Sequence, residues 1–509
     1  MKLRLTTFTI LTAVVFLTSA APALALEARN IAVSKVSDTA AVLVVKTDVA
    51  SDVTVEYGSS PGVYGTVKAS NGLTRHEILI DGLSAGMTVY YTVGIADSAD
   101  PGTTISISEK SFRTARAPGD PFSFTVSGDN RPNSGSAPQP VPWWSIMSLM
   151  AGDGADLSLS VGDIIYGMTD SAAQNAIRYD GFFAVTSQLT GSAPMYVAAG
   201  NHERLSSAAG RDAFEEEFTL PENDGADAAT DGELYYSFDH GDTHFVALST
   251  EIPGEEGMVT GDQQAWLEAD LAANTRPWVV VFMHRPLFRG MHAGDPWVDI
   301  SNAAGQQNRA DIHALFLLND VDLVFAGHEH LYFHHVEDGI HYVITGGGGA
   351  PLSPTPPLAE GDVFAASDYH YVKADESLAL VAVDVVGDDG AVLESFTLGE
   401  PDLGLTLDTT YWSSYSDYLA RNLTAGFTLA NTGEGTAVDA RMVYLSATNS
   451  VSPVTPMPLV VGDIAEGGTV DLTLEFGIPQ GVVTFRAISY ATCQDLDGNL
   501  YQLPGPSPS

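Results

Sequence analysis

The chain changes its hydrophobic period twice. From about residue 28 to 115, apolar and polar positions alternate over short runs such as Ala41–Val45 and Val53–Tyr57, with turn clusters at Gly58–Gly62 and Asp97–Gly102. Period-two alternation broken by regular turns predicts an all-β sandwich. Thr114–Pro121 contains Pro118, Gly119 and Pro121 and reads as a linker. From Phe122 to about Thr397, apolar runs of strand length alternate with 3.6-residue periodicity near Trp143–Ala151, Ala172–Gln188, Asp262–Ala273 and Arg309–Leu318. That predicts a layered α/β domain over residues 121–398, with Gly261-Asp262-Gln263-Gln264 as a capped helix start and strands near 378–386 and 391–398. From about Leu403 alternation returns, in Gly426–Ala430, Val470–Phe476 and Val482–Tyr490, which predicts a second β-sandwich over 403–505. The fold class is thus multidomain: a central α/β layered sandwich flanked by N-terminal and C-terminal all-β sandwiches.

Chemistry concentrates where apolar runs stop. Phe122–Ser127 runs into Gly128-Asp129-Asn130, Leu157–Val161 into Gly162-Asp163-Ile164-Ile165-Tyr166, and Pro194–Ala199 into Gly200-Asn201-His202-Glu203. Trp278–Met283 is followed by His284-Arg285-Pro286, and Val321–Ala326 by Gly327-His328-Glu329-His330. In an α/β sheet, functional groups gather beyond the carboxyl ends of the strands, so five separate segments can converge on one point. Asp, Asn and His supply oxygen and imidazole donors suited to first-row metals. Two metals held by a shared carboxylate can clamp a phosphoryl group and generate a hydroxide nucleophile. Gly346–Gly349 carries no following Lys-Ser/Thr and reads as a tight turn beside such a site. His334, His335 and His370 read as structural histidines.

Composition narrows the setting. With 22 Lys+Arg against 64 Asp+Glu, the formal charge is −42. Such acidity argues against nucleic-acid or anionic-membrane binding. Lys2 and Arg4, the apolar stretch from about Phe8 to Leu17, and Ala23-Leu24-Ala25 read as a signal peptide over residues 1–25. The expectation is an exported protein, periplasmic or extracellular, with no membrane span in the mature chain. Cys493 is the only cysteine, so no internal disulfide forms, which suits a bacterial envelope protein. Asp495-Leu496-Asp497-Gly498-Asn499 resembles part of a calcium loop but lacks the later Glu, and reads as a polar turn.

The five motifs, in this order, resemble the calcineurin-like metallophosphoesterases. Within that superfamily, Tyr166 three positions after Asp163 is similar to the purple acid phosphatases, as is Val55-Glu56-Tyr57-Gly58 in the domain ahead of the motifs. Leu83, Gly86, Tyr90 and Val93 fall in a spacing that resembles a fibronectin type III domain, and the C-terminal sandwich looks immunoglobulin-like. The resemblance implies two metal ions. Asp129, Tyr166 and His330 would hold Fe(III), Asn201, His284 and His328 a divalent Zn, Fe or Mn, and Asp163 would bridge them. His202 would act as general acid or phosphate donor, His292 would face substrate, and Glu203 and Glu329 would orient imidazoles. Arg131 stands where the purple group has Gly, and is a candidate for a phosphate oxygen. The implied activity is hydrolysis of phosphomonoesters by a metal-bound hydroxide. A phosphodiesterase or nucleotidase using the same centre is the alternative, and a non-catalytic envelope adhesion protein is the rival from another class.

Overall fold

A computed structural model describes residues 26–135, 138–223, 233–377, 379–433, 435–496, 498 and 500–504. The signal-peptide reading lies outside these residues, as do Asp497 and Asn499 of the calcium-like stretch. Among the described residues, no helix is long and apolar enough to cross a membrane.

β-rich regions flank a central α/β domain. In the N-terminal region the 19-residue strand Ala40–Gly58 pairs antiparallel with Ala28–Ser34, Thr66–Asp81 and Thr88–Asp97, and the last of these pairs with Thr104–Arg113. Register shifts between Lys46 and Asp52 let one ladder bend around a core of Val33, Leu43, Val45, Val53, Val55, Ile80 and Val93. The C-terminal region holds two four-stranded sheets, built around Asn422–Asn431 and Ala437–Ala447, that enclose Leu405, Phe427, Leu474, Phe476 and Cys493. Its strand near residue 482 begins only at Ala487 and runs to Gln494, later than the apolar alternation predicts.

Two sheets face each other in the central domain. In one, Phe122–Ser127, Leu157–Ser160 and Met195–Val197 run parallel, with His370–Glu376, Val381–Gly387 and Val392–Leu398 added antiparallel. In the other, Thr243–Ala247, Trp278–Phe282, Leu323–Ala326 and Ile340–Thr345 run parallel, edged by Tyr236–His240, Tyr332–Glu337 and Asp362–Ala366. Strand Trp278–Phe282 is buried on both faces. Trp278, Val280 and Phe282 enter the inter-sheet core beside Phe124 and Phe325, whereas Val279 and Val281 meet Leu267, Ile312 and Phe316 of the outer helices. Such a strand therefore reads as an unbroken apolar run.

Helices Val141–Asp153, Ala172–Thr190, Gly261–Ala273 and Ala303–Leu318 extend the sequence-predicted segments by one to six residues at an end. The fourth begins at its true cap, Asn302, whose side chain accepts from Gly305 N. At the third helix the expected side-chain cap is absent: Thr260 makes no capping bond and donates instead to Glu255. Tyr91 Oη donates to Gly191 O at 2.6 Å, while Arg29 and Lys46 pair with Asp180 at 2.6 and 3.2 Å. These contacts dock the N-terminal region on the second helix, away from the strand ends that carry the site.

Candidate metal centre

The strand ends that carry Asp129, Asp163 and His328 turn through left-handed backbone, with φ of 55°, 56° and 70°. Non-glycine residues hold that conformation only where the surroundings impose it, and such strain concentrates at functional sites. The neighbouring glycines admit the close approach. A Cβ on Gly162 would lie 2.5 Å from Gly200 N, and one on Gly327 would collide with Asp129 Oδ2. Strain and crowding together bring three chain segments to one point.

Four potential ligand atoms meet there. His284 Nδ1 donates to Val161 O at 2.8 Å, which leaves Nε2 unprotonated. His328 Nε2 lies 3.0 Å from Asp295 Oδ2. His284 Nε2 and His328 Nδ1 are 3.2 Å apart, and each is 3.0 Å from Asn201 Oδ1. Asp163 Oδ1 lies 3.4 Å from His284 Nε2. Metal bonds of about 2.0–2.1 Å place tetrahedral ligands about 3.3–3.4 Å apart. The observed spacings sit at or just inside that edge, so this donor set fits a cation.

Beside it, His330 Nδ1 donates to Pro351 O at 2.8 Å and turns Nε2 toward Asp129 Oδ1, 3.5 Å away. Asp129 Oδ1 is buried without a hydrogen-bond partner, while Oδ2 accepts from His328 N at 2.9 Å. Asp129, Asp163 and His284 can offer ligand atoms all within 4.8 Å of one another. Asp163 lies between the two groups. Tyr166 is half-buried, its ring 4.7 Å from that of His202 and under Arg131 at 5.5 Å. No hydrogen bond engages its hydroxyl among the described residues.

The charges follow from burial. Burial and the Asp163 charge push Asp129 well above the carboxylate range. Burial opposes ionisation of Asp163 too, but His284, His202 and Arg131 outweigh it and hold that group low. Burial pulls His284 down to about 3 and His202 to about 4, so both imidazoles are neutral near pH 7. Burial lowers His330 as well. His292 is raised by its hydrogen bond to Glu329.

The two glutamates differ from each other and, in one case, from expectation. Glu329 accepts from His292 Nδ1 at 2.9 Å and from the amides of Met291 and His292, so it orients an imidazole, that of His292. Glu203 touches no ligand imidazole. Its buried carboxylate accepts from the amides of Gly200 (2.6 Å), Asp163 (2.9 Å), Ile164 (3.0 Å) and Ile165 (3.2 Å), and so fixes the loop that carries Asp163 and Tyr166. Arg131 Nε donates to Asp163 Oδ2 at 3.2 Å, and its Nη atoms have no hydrogen bond among the described residues.

Asp295 and Glu251 are the residues that the motif reading misses. Asp295 Oδ2 lies 3.0 Å from His328 Nε2, and Asp295 pairs with Arg285, whose guanidinium also holds Glu251 by Nε at 2.6 Å and Nη2 at 3.1 Å. Asp295 lies in a Gly-Asp-Pro turn with no sequence signal. Glu251 follows the end of strand Thr243–Ala247, so the strand-end rule could have found it.

Residues 138–332 match the family model for calcineurin-like phosphoesterases. Purple acid phosphatase 23 of Arabidopsis thaliana is 28% identical over 328 residues, covering 56% of this chain and 66% of the relative. A phosphoenolpyruvate phosphatase of Allium cepa is 25% identical over 73% of this chain and 71% of its own length. The first three relatives are matched over 66%, 70% and 59% of their lengths. A purple acid phosphatase from yellow lupin seeds shares the fold, with a TM-score of 0.59 at 18% identity, covering 72% of this chain and 74% of that one. The strand-end motifs, their convergence and the family match agree: residues 138–332 carry a calcineurin-like phosphoesterase domain, with purple acid phosphatases as homologues.

Proposed function

We propose that the protein is an exported phosphomonoesterase with a binuclear metal centre of the purple acid phosphatase type. The observation that carries this reading is the convergence of potential ligand atoms from Asn201, His284, His328 and Asp163, with Asp129 and His330 alongside. Fe(III) would be held by Asp129, Tyr166 and His330, and a divalent Zn, Fe or Mn by Asn201, His284 and His328, with Asp163 common to both. A phenolate is a hard anionic donor, which favours the trivalent ion beside Tyr166. Bound there, such a pair neutralises phosphoryl charge and acidifies water. Export to the periplasm or cell exterior rests on the Lys2–Ala25 pattern.

The remaining roles belong to the rim. His202, neutral near pH 7, offers an N–H to the ester oxygen and takes up a proton only in acid. Its amide donates to Asp163 Oδ1 at 2.8 Å, which ties the position of the proton donor to that of the shared carboxylate. Arg131 has free Nη donors for an equatorial phosphoryl oxygen. His292, held by Glu329 with its ring 4.3 Å from His328, is half-exposed and can hydrogen-bond the substrate phosphate. Hydrolysis of p-nitrophenyl phosphate against bis(p-nitrophenyl) phosphate, before and after chelation, tests the reading. The expected result is chelator-sensitive turnover favouring the monoester. Preference for the diester would overturn the substrate class, and chelator-resistant turnover would overturn the metal centre.

A further inference from the structure

The C-terminal domain displays an aromatic face that its own core does not use. Helix Tyr415–Ala420 buries none of its residues. Tyr415 is 76% exposed, Leu419 64%, Tyr418 53% and Tyr411 47%, and Trp412 stands beside them at 36%. A six-residue helix with no apolar packing does not form on propensity alone. Here its ends are fixed by polar groups. Ser414 Oγ accepts from Asp417 N at 3.0 Å, and Arg421, in left-handed backbone at φ 60°, donates through Nε to Ile478 O at 2.8 Å. The helix is thus pinned at both ends while its rings face solvent.

Those rings form an ordered platform. Tyr415 and Tyr418 stack at 25° with centroids 6.1 Å apart, and Trp412 meets Tyr418 edge-on at 5.6 Å. Among the described residues, the hydroxyls of Tyr411, Tyr415 and Tyr418 and the Trp412 indole N–H have no hydrogen-bond partner. Exposed rings of this kind offer an apolar face together with unspent donors. Contiguous exposed apolar surface on a soluble protein marks a binding site.

Charge decides among ligands. Residues 403–504 contain ten acidic side chains and three arginines, a formal charge of −7, and no lysine. Arg421, the cation nearest the platform in sequence, is spent on the backbone carbonyls of Ile478 and Val482. Nucleic acid, anionic lipid and acidic polysaccharide are therefore repelled. We propose that this face binds an uncharged polysaccharide, with the C–H faces of its sugar rings on Trp412, Tyr415 and Tyr418 and its hydroxyls on the free phenol and indole donors. The site would hold the phosphoesterase domain against a glycan matrix, and it stands independently of the reading of the metal centre.

The test is retention of the full chain on microcrystalline cellulose, chitin and insoluble starch, with phosphatidylcholine vesicles as a parallel arm. Binding to at least one glycan is expected. Tyr415→Ala with Tyr418→Ala should weaken that binding about tenfold or more, the usual consequence of removing aromatic anchors. Tyr415→Phe, which keeps the ring, should retain most of it. Unchanged circular dichroism and melting of the variants secure the comparison, since neither side chain is buried. Failure to bind all three glycans, binding indifferent to both variants, binding only to vesicles, or a dimer that the alanine variants dissociate would each overturn the proposal.

Discussion

Replacing Glu203 with Ala probes how the fold holds its site. The carboxylate accepts four backbone N–H groups in a fully buried position, three of them from Asp163, Ile164 and Ile165 in sequence. A buried donor left unsatisfied costs about 1–3 kcal/mol, so four would cost roughly 4–12 kcal/mol if nothing relaxed. Two effects reduce that figure. The burial cost of the carboxylate itself disappears, and water enters the space the side chain leaves. With that relief the net effect should fall near the bottom of the range, at about 4 kcal/mol. The loss is local, because the amides belong to two neighbouring loops, at Asp163–Ile165 and at Gly200. The assay is amide hydrogen exchange resolved by mass spectrometry, since a three-region chain does not unfold as one cooperative unit. Peptides spanning 160–166 and 199–203 should lose protection by about 10²–10³-fold, given about 1.4 kcal/mol per factor of ten. Peptides from the C-terminal sheets should not change. Metal content should fall too, as Asp163 loses its fixed position. Unaltered protection at Asp163–Ile165 with full metal content would refute the reasoning.

Further outcomes follow from the same geometry. His202→Ala should keep metal content and lower turnover by about 10²–10⁴-fold on poor leaving groups, with smaller loss on activated aryl phosphates; equal loss on both would remove the proton-donor role. Asp295→Ala should weaken metal binding by about 10–100-fold, read by competition with a chelator, because His328 loses the carboxylate that stands 3.0 Å from its Nε2. Unchanged affinity would show that Asp295 serves only Arg285. His244 lies between Asp239 and Asp270 at 2.7 and 2.9 Å, and those partners raise it to about 9 although burial opposes them. Its folded-state value exceeds the unfolded one, so its contribution is fully present below about pH 6.5 and fades as pH rises through 9. The shift corresponds to at most about 3 kcal/mol. Melting of His244→Gln at pH 6 and 10 should show a smaller drop than the wild type; an equal drop would exclude His244 as the cause.

The legible part of the site is the part carried by parallel strands. Val280 and Val281 point to opposite faces and both meet apolar partners, so such strands announce themselves as unbroken apolar runs. Their ends can then be read for polar residues. The antiparallel additions are harder. His370–Glu376 reads His-Tyr-Val-Lys-Ala-Asp-Glu, yet it pairs with Phe122–Ser127 near the middle of its sheet. Its outward Lys373 and Asp375 mask the inward Val372 and Ala374. The helix Ala208–Glu217 escapes because only Gly210, Ala213, Phe214 and Glu217 are buried, too few for a periodic signal. Glu203 is misjudged for another reason. Its neighbours in sequence are metal-ligand candidates, but its partners are amides brought near by the left-handed turn at Asp163, and backbone partners leave no mark in side-chain spacing. Arg285, inside a motif, pairs with Glu251 and Asp295, which lie outside every motif.

The central claim is that donor atoms from five strand ends hold two metal ions, one of them beside Tyr166. Elemental analysis of the purified, oxidised protein, read together with its visible spectrum, tests that claim most directly. The account predicts two metal ions per chain, iron as one of them, and a phenolate charge-transfer band that Tyr166→Phe abolishes while the second metal stays. A colourless wild-type protein with two divalent ions would contradict the Tyr166 assignment, and a protein that binds no metal at all would contradict the centre itself.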